Sequence, residues 1–196
     1  MFSGQRRLAL ASFLAASLLT AACGDDPPQT EIQQAQRAID AARTAGADEY
    51  AHDELAAAEG ALARARTAVD QRDYRLALNN SLDSRERAQT AASQAASQKA
   101  AARADAERLL KAAAATLAET QARLKAAQTS GAPAGRLAAA RRSIAAGDQA
   151  VQEARALFDQ GSFRSVPQRL NEPMTRLAAA SHDLEDAPRP AARRSR

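Results

Sequence analysis

Large apolar residues recur every seven positions along most of this chain, and alanine or another small residue usually lies between them. The series are Leu55, Leu62, Val69 and Leu76; Leu110, Leu117 and Leu124; Leu137, Ile144, Val151 and Phe158; and Phe163, Leu170, Leu177 and Leu184. A seven-residue period is typical of helices that pack along a seam, and small partner residues let the helix axes approach closely. The pattern predicts an all-α fold of elongated antiparallel helical hairpins, a coiled-coil-like bundle with one long central helix.

Composition argues against a thick globular core. Hydrophobic residues make up 45% of the 196-residue chain, but alanine supplies most of them, and no large apolar residue lies between Leu82 and Leu109. Alanine has the highest helix propensity, so long helices with narrow seams suit this composition. The single cysteine, Cys23, has no partner for a disulfide within the chain. Stability must therefore come from helices and their packing.

The first half of the chain is predicted to contain three helices. Thr30 is a plausible N-cap of the first helix, Gly46 its end, and Asp53 the N-cap of the second. No glycine or proline occurs from residue 61 to residue 130, so one helix could run through residues 70–74, or the chain could turn at Arg72-Asp73. We favour the turn, followed by a long helix from Tyr74 to about residue 128. Residues 30–130 then form a helical hairpin module that includes this helix.

The second half is predicted to be another hairpin, over residues 136–186. The glycine- and proline-containing segment 130–135 is the clearest loop, and Gly161 should end the helix that follows it. Pro167 suits the first turn of the last helix, whereas Pro173 is expected to kink or split it.

The second hairpin resembles the first. Residues 70–75 (DQRDYR) match residues 159–164 (DQGSFR), and residues 55–58 match residues 137–140. Gly161 is the counterpart of Arg72 in this alignment, which is our reason for placing a turn at Arg72. Chance similarity between two alanine-rich helices is the alternative to a true duplication.

The N-terminus has the pattern of an export signal. Arg6 and Arg7 precede a short apolar segment, and small residues lead to Cys23. The ending Thr-Ala-Ala-Cys resembles the lipobox of bacterial lipoproteins. The resemblance implies a signal peptide over residues 1–22, lipidation of Cys23, a tether over residues 23–29 and a periplasm-facing membrane anchor. Gly24 after the cysteine favours the outer over the inner membrane by the same resemblance. An ordinary signal peptide followed by a free thiol is the alternative.

A family resemblance covers roughly residues 29–115. The sequence Tyr50-Ala-His-Asp-Glu-Leu55, alanine-rich helices and the pair Asp73-Tyr74 resemble bacterial lipoproteins that carry domain of unknown function 4398. His52 and Arg72 stand where that family usually has proline and glycine. The resemblance implies helical hairpins and no particular chemistry. Tyr50, Leu55, Asp73, Tyr74 and, from the repeat, Phe163 are the candidate turn and packing residues.

The sequence offers no catalytic or metal-binding motif. His52 and His182 are the only histidines, and neither has further ligands at metal-binding spacing. Narrow seams are not expected to leave a pocket. We therefore expect no enzyme activity, cofactor, metal or small-molecule substrate, and export argues against nucleic acid as a partner.

Two functions remain open. The first is a non-catalytic, lipid-anchored lipoprotein of the bacterial cell envelope, a helical spacer or protein-interaction module with an unidentified envelope protein as partner and with self-association as a possibility. The second is a binder of an anionic envelope polymer or lipid. It would act through a disordered basic tail, residues 187–196, whose arginines are Arg189, Arg193, Arg194 and Arg196.

Overall fold

The computed structural model describes residues 26–185, and this part of the chain contains six α-helices. They are α1 Gln29–Thr44, α2 Ala47–Tyr50, α3 His52–Asp70, α4 Tyr74–Thr129, α5 Ala134–Asp159 and α6 Ser165–Glu185. The all-α prediction is confirmed, and so is the long helix. No helix among the described residues is long and apolar enough to cross a membrane. The predicted signal peptide, Cys23 and the basic tail lie outside the described residues.

Several predicted boundaries need correction. Thr30 and Asp53 are not N-caps, because α1 already begins at Gln29 and α3 at His52. The Pro28 carbonyl accepts the Ile32 amide at 3.1 Å, which places Thr30 inside the first helical turn. The short helix α2 was not predicted. Helix α6 continues through Pro173, so the predicted split is wrong.

The chain divides into two compact units. Among the described residues, the first contains residues 26–44 and His52–Ala91, and the second contains Ala45–Ala51 and residues 92–185. The first unit thus has α1, α3 and the beginning of α4, whereas the second has α2, the remainder of α4, α5 and α6. Sequence analysis had assigned the whole of the long helix to the first module.

The first unit has a core of small residues around a few large ones. Ile39, Leu55 and Leu62 are buried, and the predicted small partners Ala58 and Ala65 are completely buried. The hydroxyl of the buried Ser84 on α4 donates to the carbonyl of Ala58 on α3 at 2.8 Å. A cross-helix bond of this length requires the two backbones to lie close together.

The predicted seam from Leu55 to Leu76 does not extend to its last member. Leu76 is 45% exposed, while its neighbour Ala77 is completely buried. The turn after Asp70 ends α3, so the seven-residue phase of that helix does not carry over into α4. Beyond the turn a new stripe of Ser81, Ala88 and Ala95 is completely buried, as expected for a helix that lies along its neighbours through small residues.

The second unit packs α4, α5 and α6 around larger residues. A buried cluster contains Val151 on α5, Phe163 in the turn before α6, and Val166 and Leu170 at the start of α6, together with small residues of α4. Gly147 on α5 lies under the buried Leu177, since an added Cβ would come within 3.2 Å of a Leu177 methyl carbon. Gly147 is therefore one of the small partners that this unit requires.

Three helices end with the same hydrogen-bonded turn. Arg72, Gly131 and Gly161 have positive φ angles of 58°, 76° and 79°. After α3 the Arg72 amide donates to the carbonyl of Val69 and the Asp73 amide to that of Ala68, each at 2.9 Å, which is the Schellman pattern. The pattern recurs after α4 and α5. The turn at Arg72 is thus confirmed, and Arg72 has the same geometry as Gly161, its counterpart in the repeat.

Replacing Arg72 by glycine is expected to stabilise the protein. A side chain in the left-handed conformation costs about 1–2 kcal/mol, and the greater freedom of glycine in the unfolded chain offsets part of this. Arg72→Gly should therefore raise the free energy of unfolding by about 0.5–1 kcal/mol in urea denaturation. Gln71→Gly is the matched control, because Gln71 does not have a positive φ, and it should lower stability. A loss of stability in Arg72→Gly would contradict the argument.

Candidate functional site

Tyr50 of the family-like motif is held in place by a residue more than a hundred positions away. Its side chain is only 2% exposed. The guanidinium carbon of Arg164 lies 4.6 Å from the centre of the Tyr50 ring. The same guanidinium donates to the backbone carbonyl of Glu49 at 2.5 Å and to the side-chain carbonyl of Gln98 at 3.2 Å. We call this arrangement the Tyr50–Arg164 contact.

Local backbone geometry positions both partners of this contact. Gly46, with a φ of 94°, turns the chain between α1 and α2, and the Gly46 carbonyl accepts the amides of Glu49 and Tyr50. Arg164 lies between the Schellman turn at Gly161 and the start of α6. Arginine suits this place because a planar guanidinium can stack on a ring while its N–H groups donate at its edge.

The environment of the Tyr50 hydroxyl disfavours acid–base chemistry at neutral pH. Burial raises the pKa of this phenol above its usual value of 10.0, and the negative charge of Glu49 raises it further. The hydroxyl oxygen is buried without a hydrogen-bond partner among the described residues. A phenol with a raised pKa is neutral at pH 7 and is a poor base or nucleophile.

Asp73 and Tyr74 form the start of α4. A carboxylate oxygen of Asp73 accepts the Leu76 amide at 2.9 Å, so Asp73 is the N-cap of the long helix. Tyr74, the first residue of that helix, is half-buried. These two residues therefore carry out a structural task, the change of direction from α3 to α4.

Phe163 occupies a different environment from its repeat counterpart Tyr74. It is buried in the cluster of the second unit and contacts Phe158 edge to face, with ring centres 5.2 Å apart. The guanidinium carbon of Arg103 lies 5.9 Å from the centre of the Phe158 ring. The predicted packing residues thus do not converge on one site: Leu55, Asp73 and Tyr74 belong to the first unit, and Tyr50 and Phe163 to the second.

A groove between α4 and α6 was not expected. Its volume is about 590 Å³. None of its lining residues carries a charge; they are Leu109, Ala112, Ala113 and Thr116 on α4, and Pro167, Gln168, Leu170, Asn171, Met174, Thr175 and Ala178 on α6. The expectation that narrow seams leave no pocket is therefore wrong for the second unit. A lining without titratable groups can bind apolar groups but supplies neither an acid nor a base.

Metal ligands do not cluster in the described part of the chain. Residues 26–185 contain no group of three His, Cys, Asp or Glu side chains that could hold a metal ion. His52 and His182 are both exposed, in the first turn of α3 and the last turn of α6.

Sequence reasoning missed Arg164 and the groove. Arg164 was part of the matching segment 159–164, but nothing in the repeat indicated its contact with Tyr50, because the counterpart, Arg75, has no such neighbour. Pro167 and the small lining residues Ala112, Ala113 and Ala178 are spread over two helices, so the sequence contains no local signal for the groove. From the sequence, Pro167 indicates the first turn of α6 and does not indicate that it lines a groove.

Comparison with known proteins finds one family match, in the first part of the chain. A family model, described as a domain of unknown function (DUF4398), matches residues 30–107. This segment of the chain is therefore similar to that family. The matched segment contains α1, α2, α3 and more than half of α4, and it includes Tyr50 but not Arg164. No curated protein and no solved structure matches the chain. The DUF4398 segment thus supplies only one side of the Tyr50–Arg164 contact.

Loss of the Arg164 side chain is expected to loosen α2. Arg164→Ala removes a ring contact and two hydrogen bonds at a partly exposed site, an effect of about 1–2 kcal/mol. Hydrogen exchange of the Glu49, Tyr50 and Ala51 amides should therefore accelerate at least about fivefold. Arg164→Lys should restore only part of the protection, because an ammonium group cannot stack and donate in the same geometry. Unchanged exchange in Arg164→Ala would show that the contact does not hold α2.

Tyr50→Phe is expected to change the response to alkaline pH. Because the folded-state pKa of Tyr50 is raised, its neutral form stabilises the fold below about pH 10, and this stability is lost as pH rises further. Tyr50→Phe should reduce the loss above pH 10. At pH 7 it should leave stability unchanged or slightly higher, because it removes a hydroxyl that lacks a partner. Tyr74→Phe, which keeps the buried phenol, is the control, and thermal unfolding across pH is the measurement.

Proposed function

We propose that this chain is a non-catalytic lipoprotein of the bacterial cell envelope. It is anchored through lipid on Cys23, faces the periplasm and acts as a helical spacer or protein-interaction module. The observation that carries the proposal is the N-terminal pattern: two arginines, a short apolar segment and the ending Thr20-Ala21-Ala22-Cys23. Two or more acyl chains on one residue give stable membrane attachment.

The start of the helical region is compatible with an anchor at Cys23. Pro27 and Pro28 directly precede α1, and the Pro27 carbonyl accepts the Gln29 amide at 2.8 Å. Only residues 24–28 separate the proposed lipid from the first helix. A chain of this length reaches at most about 18 Å, so the helical part would begin close to the bilayer.

The composition of the described surfaces supports a spacer or an interaction module over an enzyme. The groove of the second unit is lined by uncharged side chains, and the ring contact at Tyr50 is occupied by Arg164. Acid–base catalysis needs titratable groups within reach of a substrate. As an interaction module, the chain would bind another protein of the envelope or a second copy of itself. A melting temperature that does not change with protein concentration would argue against the second copy.

The anchor can be tested on protein made in its own membrane. Mass spectrometry should find a chain that begins at Cys23 and carries acyl chains, and Cys23→Ala should lose them and leave the membrane fraction or remain unprocessed. Thr20→Leu is the matched control, because leucine is the residue more often found at that position of a lipobox, and it should preserve acylation. A mature chain that begins elsewhere, or an unmodified Cys23, would refute the proposal.

A further inference from the structure

The loop between α4 and α5 lies within a segment whose charged residues are all basic. From residue 120 to residue 147 the chain contains no aspartate or glutamate, and its basic residues are Arg123, Lys125, Arg136, Arg141 and Arg142. We call Lys125, Arg136, Arg141 and Arg142 the basic tip. All four are exposed. None of them forms an ion pair with any residue from 26 to 185, whereas many other arginines of the chain do.

The nearby acids do not neutralise the basic tip. Helix α6 brings Asp183 and Glu185 to this end of the second unit. Glu185 forms an ion pair with Arg123 at 2.6 Å, and Glu119 forms another with the same arginine at 2.6 Å. Arg123 thus takes up two carboxylates, and the four residues of the basic tip face solvent. Among residues 26–185, Asp183 is the remaining acid at that end, and Asp186 follows α6 in the sequence.

The rest of the chain leaves the described structure at the same end. Leu184, next to the last residue of α6, packs with Ala127 of α4 and Ala140 of α5. Residues 187–196, which follow, contain Arg189, Arg193, Arg194 and Arg196 and no acid. The last described residues of α6 therefore lie at the same end of the second unit as the basic tip.

The arrangement of the basic tip favours a surface over a linear polymer. Consecutive residues of an α-helix are about 100° apart around its axis. Arg136, Arg141 and Arg142 therefore point in three directions that are about 100–140° apart. Side chains spread around a helix end do not line one groove, as a single polymer strand would require. They can all reach phosphates if the end enters a layer of headgroups.

We propose that the basic tip binds the phosphate headgroups of an anionic membrane surface. This contact goes beyond the proposed function, because it needs no lipid on Cys23 and no partner protein. Basic residues near an anionic bilayer add to binding individually, and salt weakens their effect. The four residues of the tip form the proposed contact.

Three variants with equal loss of charge can test the proposal. The tip variant combines Lys125→Gln, Arg136→Gln, Arg141→Gln and Arg142→Gln. The control combines Arg37→Gln, Arg72→Gln, Arg75→Gln and Arg155→Gln, four exposed residues that form no ion pair within residues 26–185. The third lacks residues 187–196. Each loses four positive charges, so net charge alone predicts the same result for all three.

The binding assay uses the chain from Gly24 to Arg196, which retains every described residue and has no cysteine to acylate. The probes are vesicles of phosphatidylglycerol mixed with phosphatidylcholine, vesicles of phosphatidylcholine alone, and soluble polyphosphate. The parent chain should bind the anionic vesicles only, less at high salt. The tip variant should bind them at least about tenfold more weakly than the charge control. Thermal unfolding of each variant shows whether its fold is retained.

Several outcomes would overturn the proposal. Equal losses in the tip variant and the charge control would mean that net charge alone acts. Full loss on removal of residues 187–196, with the tip variant unaffected, would assign binding to that segment. Binding to polyphosphate as tight as to vesicles would favour a polymer. Because the assayed chain cannot be acylated, none of these results bears on the lipid anchor.

Discussion

Close approach of helix backbones through alanine and serine is the constraint on which this structure depends. In the first unit Ala35, Ala58, Ala65 and Ala88 are completely buried, and a serine hydroxyl bridges α3 and α4. Such seams bury little apolar area per residue because their side chains are small. Burial stabilises a fold by about 0.8 kcal/mol per methylene group, so each small residue contributes little. Length compensates for this, because each added turn adds another pair of small contacts. A seam of many small contacts needs a long helix, and α4 has 56 residues.

Helix periodicity and turn chemistry were readable from the sequence because both are local. The seven-residue series predicted the helices, and glycines at 46, 131 and 161 marked the left-handed positions after three of them. Arg72 carried no such local signal, and only its alignment with Gly161 revealed the turn. The interaction between Glu107 and Lys111, four residues apart on α4, is also local: a 2.9 Å ion pair joins them and lowers the pKa of Glu107.

Features that depend on distant residues could not be predicted in this way. Leu76 continues the series of α3 in sequence, yet it is exposed, because a turn resets the direction of its helix. The groove between α4 and α6 arises where Ala112, Ala113 and Ala178 leave space that the neighbouring side chains do not fill. Whether small residues on two helices close a seam or leave a groove depends on how the helices lie, and a one-dimensional pattern does not contain that information.

The Tyr50–Arg164 contact shows how similar segments can acquire different roles. Arg75 and Arg164 occupy the same place in the two matching segments, but Arg75 is exposed, whereas the guanidinium of Arg164 lies over the Tyr50 ring. Arg164 has Tyr50 beside it, because Gly46 and the short helix α2 bring the ring into the second unit. Tyr74 and Phe163 differ in a similar way. Tyr74 is half-buried at the start of α4, whereas Phe163 is buried and packs against the ring of Phe158. If the segments descend from one ancestor, the surroundings of each copy, and not its own sequence, determined which arginine became structural.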